Sequence, residues 1–551
     1  MINRLMIFVL GTLVLSATSF LAWNGFDKGD VARAQKLIGL SFTEGKIDTM
    51  YENLMDNKAA FDTLRSYELD YTTTPALFFD PRPVWMELPK GQQPVYWDFP
   101  EGVRLPDNRE ELAFYSVAEL SWLIRHGKVS STELTRLFLD RIRRYDGQLQ
   151  AVITLTEDLA LEQAARADRE LASGRYRGPL HGIPYGAKDI IAVEGYKTTW
   201  GSEPYKDQML EGTATVIEKL EAAGAVLVAK LTSGALARGD VWFGGQTKNP
   251  WDLSQGASGS SAGSASATAA GLVAFAIGTE TLGSIISPAS RCGVTGLRPT
   301  YGRVSRAGVM SLSWTFDKVG PICRDAFDCA LVLDVIRGSD PLDRTAVDAP
   351  FNYRAIRTGA NLRVGVLAAE FDRDTTAAGT NGRAALEQLA ALGVQLQAET
   401  IPTDFPYAAF DLIIRAEGGA FFDELVLSGE VDQMVQQGSN SRANSLRQSR
   451  FIPAVEYLQA NRHRSLVIEW FNRLMQNYDV LIAPRNARYE SLITNMTGHP
   501  SLSIPTGLDA KGRPTSIVLI GNLYDEARIL ELGRLFQEHT DFDDQQPPLF
   551  R

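Results

Sequence analysis

The chain has 551 residues, 44% of them hydrophobic and 22% charged, enough apolar content to bury a large core and not the composition of a disordered protein. A net charge of −11 argues against nucleic acid as a partner, which needs a basic footprint. Three cysteines cannot staple so long a chain, and five histidines with no ligand-spaced cluster leave zinc without a site. Cys292, Cys323 and Cys329 read as buried free thiols, with a Cys323–Cys329 pair as the alternative.

The amino terminus, "MINRLMIFVLGTLVLSATSFLAW", sets Arg4 before an uncharged, mainly apolar run from Leu5 to Trp23. Ala17-Thr18-Ser19 offers a small-x-small cleavage pattern, so residues 1–23 are expected to be an export signal. The run is also long enough for an uncleaved membrane anchor, and either reading places the rest of the chain outside the cytoplasm. Residues 24–110 read as a helical extension followed by an extended connector. Ser41 and Glu44 match a capping box, and Ile47, Met50, Tyr51, Leu54, Phe61 and Leu64 share one helical face. The proline-spaced, aromatic-rich stretch "TTTPALFFDPRPVWMELPKGQQPVYWDFP" is expected to lie extended over the body of the protein.

From about residue 111 the pattern is α/β. Gly127 stops one helix, Ser130 with Glu133 caps the next, and Leu134, Phe138 and Ile142 form its buried stripe. "QAVITL" is a short strand, and "TATVIEKLEAAGAVLVAKL" is a helix, a glycine stop and a buried strand. "LRVGVLAA", "YDVLIAP", "SLSIP" and "SIVLIG" add further strands. A prior of about 150 residues per domain gives three or four domains. No linker interrupts the chain after residue 110, which points to fewer.

The segment from Gly256 to Ser284, "GASGSSAGSASATAAGLVAFAIGTETLGS", is rich in glycine, alanine and serine but is not a flexible linker, because Leu272–Ile277 is apolar. The part after Ser264 reads as helix, and small residues ahead of it let backbone amides approach a ligand. Gly259–Gly263 also fits a G-x-S-x-G nucleophile elbow centred on Ser261. That motif needs a preceding strand and a downstream acid and histidine. "NPWDLSQGAS" is no strand, and His463, His499 and His539 have no supporting context. Upstream, Lys188 follows a Gly-Ile-Pro turn. Taken alone it reads first as a surface lysine paired with Asp189; buried, its pKa would fall and it could act as a base.

Together, "LHGIPYGAKDI", "NPWD", "GSSAGSA", "GTETLGSIISPASRCGVTGLRPTYGRVS", "FDKVGPICR", "YDVLIAP" and "TGHPSLSIPTG" stand in the order of the amidase signature family, which the chain resembles from about Glu111 to Thr540. The resemblance implies one α/β domain over residues 111–545, an α/β/α sandwich around a large mixed β-sheet. It implies a Ser–cis-Ser–Lys triad of Lys188, Ser260 as the bridging serine and Ser284 as nucleophile, the serines 24 residues apart. Neutral Lys188 would take a proton from Ser260, which takes one from Ser284, and the oxygen of Ser284 attacks an amide carbonyl. Amides of Thr281, Leu282, Gly283 and Ser284 would form the oxyanion hole. Such a reaction needs no cofactor. It takes a small-molecule amide, no nucleic acid, and a membrane only through the N-terminal segment.

The family pattern T-D-x-G-G-S-x-R is matched here by Thr279–Ile286, "TETLGSII", with two departures that bear on the site: Leu282 stands for Gly and Ile286 for Arg. A leucine where φ must be positive would be strained. Without the arginine, neutral amides are expected to be preferred over acidic half-amides, unless Arg291 compensates. The main functional expectation is an exported amidase. The alternatives are an amidotransferase A-type subunit supplying ammonia for aminoacyl-tRNA synthesis, a non-catalytic relative, and a Ser261 esterase. The export signal argues against the amidotransferase, which works in the cytosol.

Overall fold

In the computed structural model, which describes residues 26–67 and 69–551, an 11-stranded sheet organises the chain. Its strands are β1 (Val152–Leu155), β2 (Pro184–Lys188), β3 (Val226–Leu231), β4 (Phe275–Glu280), β5 (Thr295–Arg298) and β6 (Lys318–Cys323). They continue with β7 (Arg363–Val366), β8 (Gln395–Ala398), β9 (Val480–Pro484), β10 (Ser501–Leu508) and β11 (Pro514–Gly521). Their spatial order is β1-β3-β2-β4-β6-β5-β10-β11-β9-β7-β8. The sheet is mixed: β2 runs parallel to β3 and β4, β7 runs parallel to β8 and β9, and the remaining pairs are antiparallel. Strands β2, β3, β4, β6 and β9 are buried along their whole length, as in a sheet covered on both faces.

Helices cover both faces, making an α/β/α sandwich. On one face the Ser516 hydroxyl meets Ser290 at 2.5 Å, from the helix Ile286–Cys292. On the opposite face Leu502 and Ile504 lie so near the helix Glu526–Gln537 that a Cβ added to Gly533 would sit 2.8 Å from Leu502. Ser130 caps the helix Ser131–Leu149 by accepting from the Glu133 amide, and Leu134, Phe138 and Ile142 are buried as their spacing predicts. All three cysteines are free and buried.

Three elements differ from expectation. The segment read as continuous helix past Ser264 is helix only over Ala262–Ala269; Gly271 turns with φ 64°, and the apolar run becomes β4. The helix Glu44–Arg65 forms, but Thr43 rather than Ser41 precedes it and no side chain caps it. Of its expected face only Ile47 is buried, while Phe61 and Leu64 are exposed. A further helix, Lys28–Leu37, has no counterpart among the expected elements; Asp27 and Asp30 close a capping box at its start.

The chain divides into two compact units, one ending at Thr73 and one from Thr74 to Arg551. The connector from Thr74 onward belongs to the larger unit, where Trp97 stacks on Tyr353 and Phe79 packs edge-on against Tyr301. The export signal expected over residues 1–23 lies outside the described residues. Among those described, no helix is long and apolar enough to cross a membrane.

Candidate active site

Lys188 is the last residue of β2, and its neighbour β4 runs in the same direction, with Ala187 opposite Ile277. The carboxyl ends of the two strands therefore lie side by side, the place where open α/β sheets put ligands. Lys188 Nζ lies 2.8 Å from Ser260 Oγ and 2.8 Å from Thr279 Oγ1, and the side chain is fully buried. Burial drives its pKa down to about 7, against the opposing pull of Asp317 and Glu280. The surface pair with Asp189 does not form. Asp189 is itself buried, bound to Lys230 at 2.8 Å and to the Thr199 amide and hydroxyl.

Ser260 stands in the tight passage between the strand Asp252–Gly256 and the helix Ala262–Ala269, after a cis Gly259–Ser260 peptide. Glycine is required at 259: a Cβ there would lie 1.8 Å from the Gly239 carbonyl oxygen. Ser261 is no nucleophile elbow. No strand runs directly into it, and its buried hydroxyl donates to the Thr279 carbonyl at 3.0 Å and accepts from the Thr279 amide at 3.1 Å. His499 is buried against Thr497, its pKa pulled down to about 3 by desolvation and by Arg298. The Ser261 amide donates to the Ser284 carbonyl at 3.1 Å, tying the two serine elements together.

The loop after β4 is held by two buried acids. Glu280 accepts from the Ile285 and Ile286 amides at 2.8 and 3.0 Å, and from Arg298 and Asn495 at 2.8 Å each. Asp317 accepts from the Thr281 hydroxyl at 2.5 Å and from the Leu312 and Ser313 amides. Gly283 takes φ 82°, whereas Leu282 is not among the residues with positive φ, so the leucine is unstrained and its side chain, 37% exposed, points out of the core. Among the described residues the amides of Thr281, Leu282, Gly283 and Ser284 donate to nothing. The Ser284 hydroxyl likewise has no hydrogen bond there, and Ser284 is 7% exposed. No hydrogen bond joins the Ser260 and Ser284 hydroxyls directly, a looseness common before substrate binds.

Burial would raise the pKa of Glu280, but Arg298, Lys318 and the Ile286 amide together hold it at about 2. A carboxylate depressed from 4.5 to about 2 contributes about 3 kcal/mol of stability, present above pH 4.5 and lost as pH falls toward 2. Glu280→Gln is therefore expected to lower the unfolding free energy by about 3 kcal/mol at pH 7 and to flatten the acid limb of stability. Denaturant melts of both proteins at pH 7 and pH 3 measure this.

Sequence reasoning assigns no role to Thr279, Glu280 or Asp317 in supporting the site, although all three lie inside quoted motifs. Arg485 stands just past the motif "YDVLIAP" and carries no signal of its own. It follows β9 directly, and its Nη2 donates to Ser287 Oγ at 2.6 Å, one helical turn beyond Ser284. The Ser287 amide in turn donates to the Gly283 carbonyl at 2.8 Å. A cation thus reaches the first turn of the helix Ile286–Cys292, where Ile286 leaves none in sequence. Among the described residues no cluster of three or more His, Cys, Asp or Glu is placed to hold a metal ion.

A fully buried lysine thus contacts a cis-linked serine, close to a glycine-turned loop whose amides are free among the described residues. The family model for amidases matches residues 133–490. The A subunit of the glutamyl-tRNA(Gln) amidotransferase of Moorella thermoacetica is 34% identical over 494 residues, covering 80% of this chain and 99% of that protein. The peptide amidase of Stenotrophomonas maltophilia superposes with a TM-score of 0.68 at 29% identity, over 78% of this chain and 98% of that one. An amidase family protein from Bacillus anthracis superposes at 0.72 with 25% identity, over 80% and 93%. The chain belongs to the amidase signature family, and it is an enzyme acting on carbon–nitrogen bonds other than peptide bonds.

Proposed function

We propose that this protein hydrolyses a carboxylic amide to an acid and ammonia or an amine through an acyl-enzyme on Ser284. The observation that carries this reading is the 2.8 Å contact of fully buried Lys188 with Ser260. At a pKa of about 7, a large part of the lysine is neutral at physiological pH and able to accept a proton. The Ser284 oxygen bonds to the amide carbon while its proton passes to Ser260 and the Ser260 proton to Lys188. The carbonyl oxygen becomes an oxyanion facing the amides of Thr281, Leu282, Gly283 and Ser284, each key donor contributing roughly 3 kcal/mol. Collapse breaks the carbon–nitrogen bond, and the nitrogen leaves with the proton returned along the relay. Water then attacks the ester by the same path and frees the acid and Ser284.

A second reading is favoured by a specific observation: curated relatives 33–34% identical to this chain are A subunits of glutamyl-tRNA(Gln) amidotransferases, matched over nearly their whole length. In that reading the amide is an ammonia donor and a partner consumes the ammonia. Purified protein lacking residues 1–23 separates the two when ammonia release is measured over a panel of amides, glutamine included. Turnover without any partner supports the free-standing amidase; turnover of glutamine only on adding a tRNA-dependent partner supports the amidotransferase.

We also propose that Leu5–Trp23 directs the chain across a membrane. Fractionation of cells expressing the full-length protein should place it outside the cytosol. A wholly cytosolic product with an intact amino terminus defeats this and favours the amidotransferase reading.

A further inference from the structure

A cavity of about 500 Å³ opens beside both serine elements, its wall including Ser258, two residues before Ser260, and Ser287, three after Ser284. Four cations line it, Arg291, Arg485, Lys511 and Arg513, against the single carboxylate of Asp509. Opposite signs favour an anion there. Arg513 is already paired with Asp509 at 2.7 Å, and Arg291 donates to Gln255 at 3.0 Å on the exposed rim. Arg485 differs from both. It is half-buried, and among the described residues it makes no ion pair; its hydrogen bond goes to Ser287, a neutral hydroxyl. Burial pulls its pKa down, and Glu490 and Glu280 act on it only at a distance. A guanidinium withdrawn from water without a contacting anion is costly to hold, and its planar fork suits a carboxylate.

We infer that Arg485 forms an anion subsite in this cavity that recognises a carboxylate carried by the amide substrate. This rests on the reading of Ser284 as the nucleophile of an amide hydrolase and names the substrate class of that same site. It reverses the preference for neutral amides that Ile286 suggests, because the missing arginine is replaced by one 198 residues beyond Ser287.

The test compares two substrates of matched length, succinamate and butyramide. Wild-type protein is expected to prefer succinamate, and Arg485→Met to lower the ratio of their kcat/KM values by about 30-fold. Arg485→Lys, which keeps the charge without the fork, should restore part of the ratio. An unmoved ratio in folded Arg485→Met overturns the inference while leaving amide hydrolysis intact. If Arg485→Met fails to fold, inhibition of wild-type butyramide hydrolysis decides: succinate should inhibit at least tenfold more tightly than butyrate, and equal inhibition overturns the subsite. Calorimetric titration of Ser284→Ala protein with succinate and with phosphate needs no turnover. Succinate binding there without hydrolysis by the wild type keeps the subsite and removes the amidase reading; phosphate binding without succinate binding removes the subsite.

Discussion

Ser284→Ala is expected to abolish amide hydrolysis and labelling by a fluorophosphonate probe while the protein stays folded. In the proposed mechanism the Ser284 hydroxyl oxygen is the attacking atom, and loss of a serine nucleophile costs roughly 10⁵–10⁶ in kcat in comparable enzymes, leaving only what the oxyanion donors and binding supply. Stability should hardly change, because the Ser284 hydroxyl has no hydrogen bond among the described residues and the loop is held elsewhere, by Glu280, Asp317 and Gly283. A thermal midpoint within a few degrees of wild type checks that half of the prediction. The labelled peptide from wild-type protein should contain Ser284. Labelling that persists in the variant and maps to Ser261 would falsify the assignment, although the Ser261 hydroxyl is engaged at both ends by Thr279.

The contrast between those two serines shows what the sequence can and cannot reveal. Lys188, Ser260 and Ser284 are named by the family resemblance, and the structure gives the glycines beside the two serines a backbone reason: no Cβ fits at Gly259, and the loop turns at Gly283. Strands β1, β3, β7, β9, β10 and β11 are legible as apolar runs, whereas β2, β5, β6 and β8 are too rich in polar residues, glycine or proline to read that way. What kind of element Leu272–Ile277 belongs to is not legible, since a run buried on every side has no periodicity to separate helix from strand. The supports of the site are also hidden. Glu280 meets Arg298 and Asn495, Lys230 takes Asp189 from Lys188, and Arg485 reaches Ser287, all contacts fixed by the order of strands in the sheet. Leu282 reads as a defect in the oxyanion loop because sequence cannot tell which of two adjacent positions needs positive φ; Gly283 fills it. In the N-terminal unit the capping pattern at Ser41 misleads, since the helix begins three residues later with no side-chain cap.

The proton relay makes the second large prediction. Lys188→Ala and Ser260→Ala should each lower kcat/KM by roughly 10³–10⁵, and the double variant should be little worse than either alone, because a relay cut once carries no proton. Independent losses that multiply in the double variant would show two separate roles instead of one relay. The pH dependence follows from the sign of the lysine shift. A lysine whose pKa is lowered by burial is the active base only when neutral, so activity is full above about pH 7 and falls as protons bind below it. The acid limb of kcat/KM should bend near pH 7 and then drop about tenfold per pH unit. Glu280 and Asp317 both pull the lysine toward its charged form. Glu280→Gln, where it folds well enough to assay, should therefore move that bend to lower pH. A bend that stays in place, or an acid limb that appears only near pH 4, would assign the titration to a carboxylate and take the base role away from Lys188.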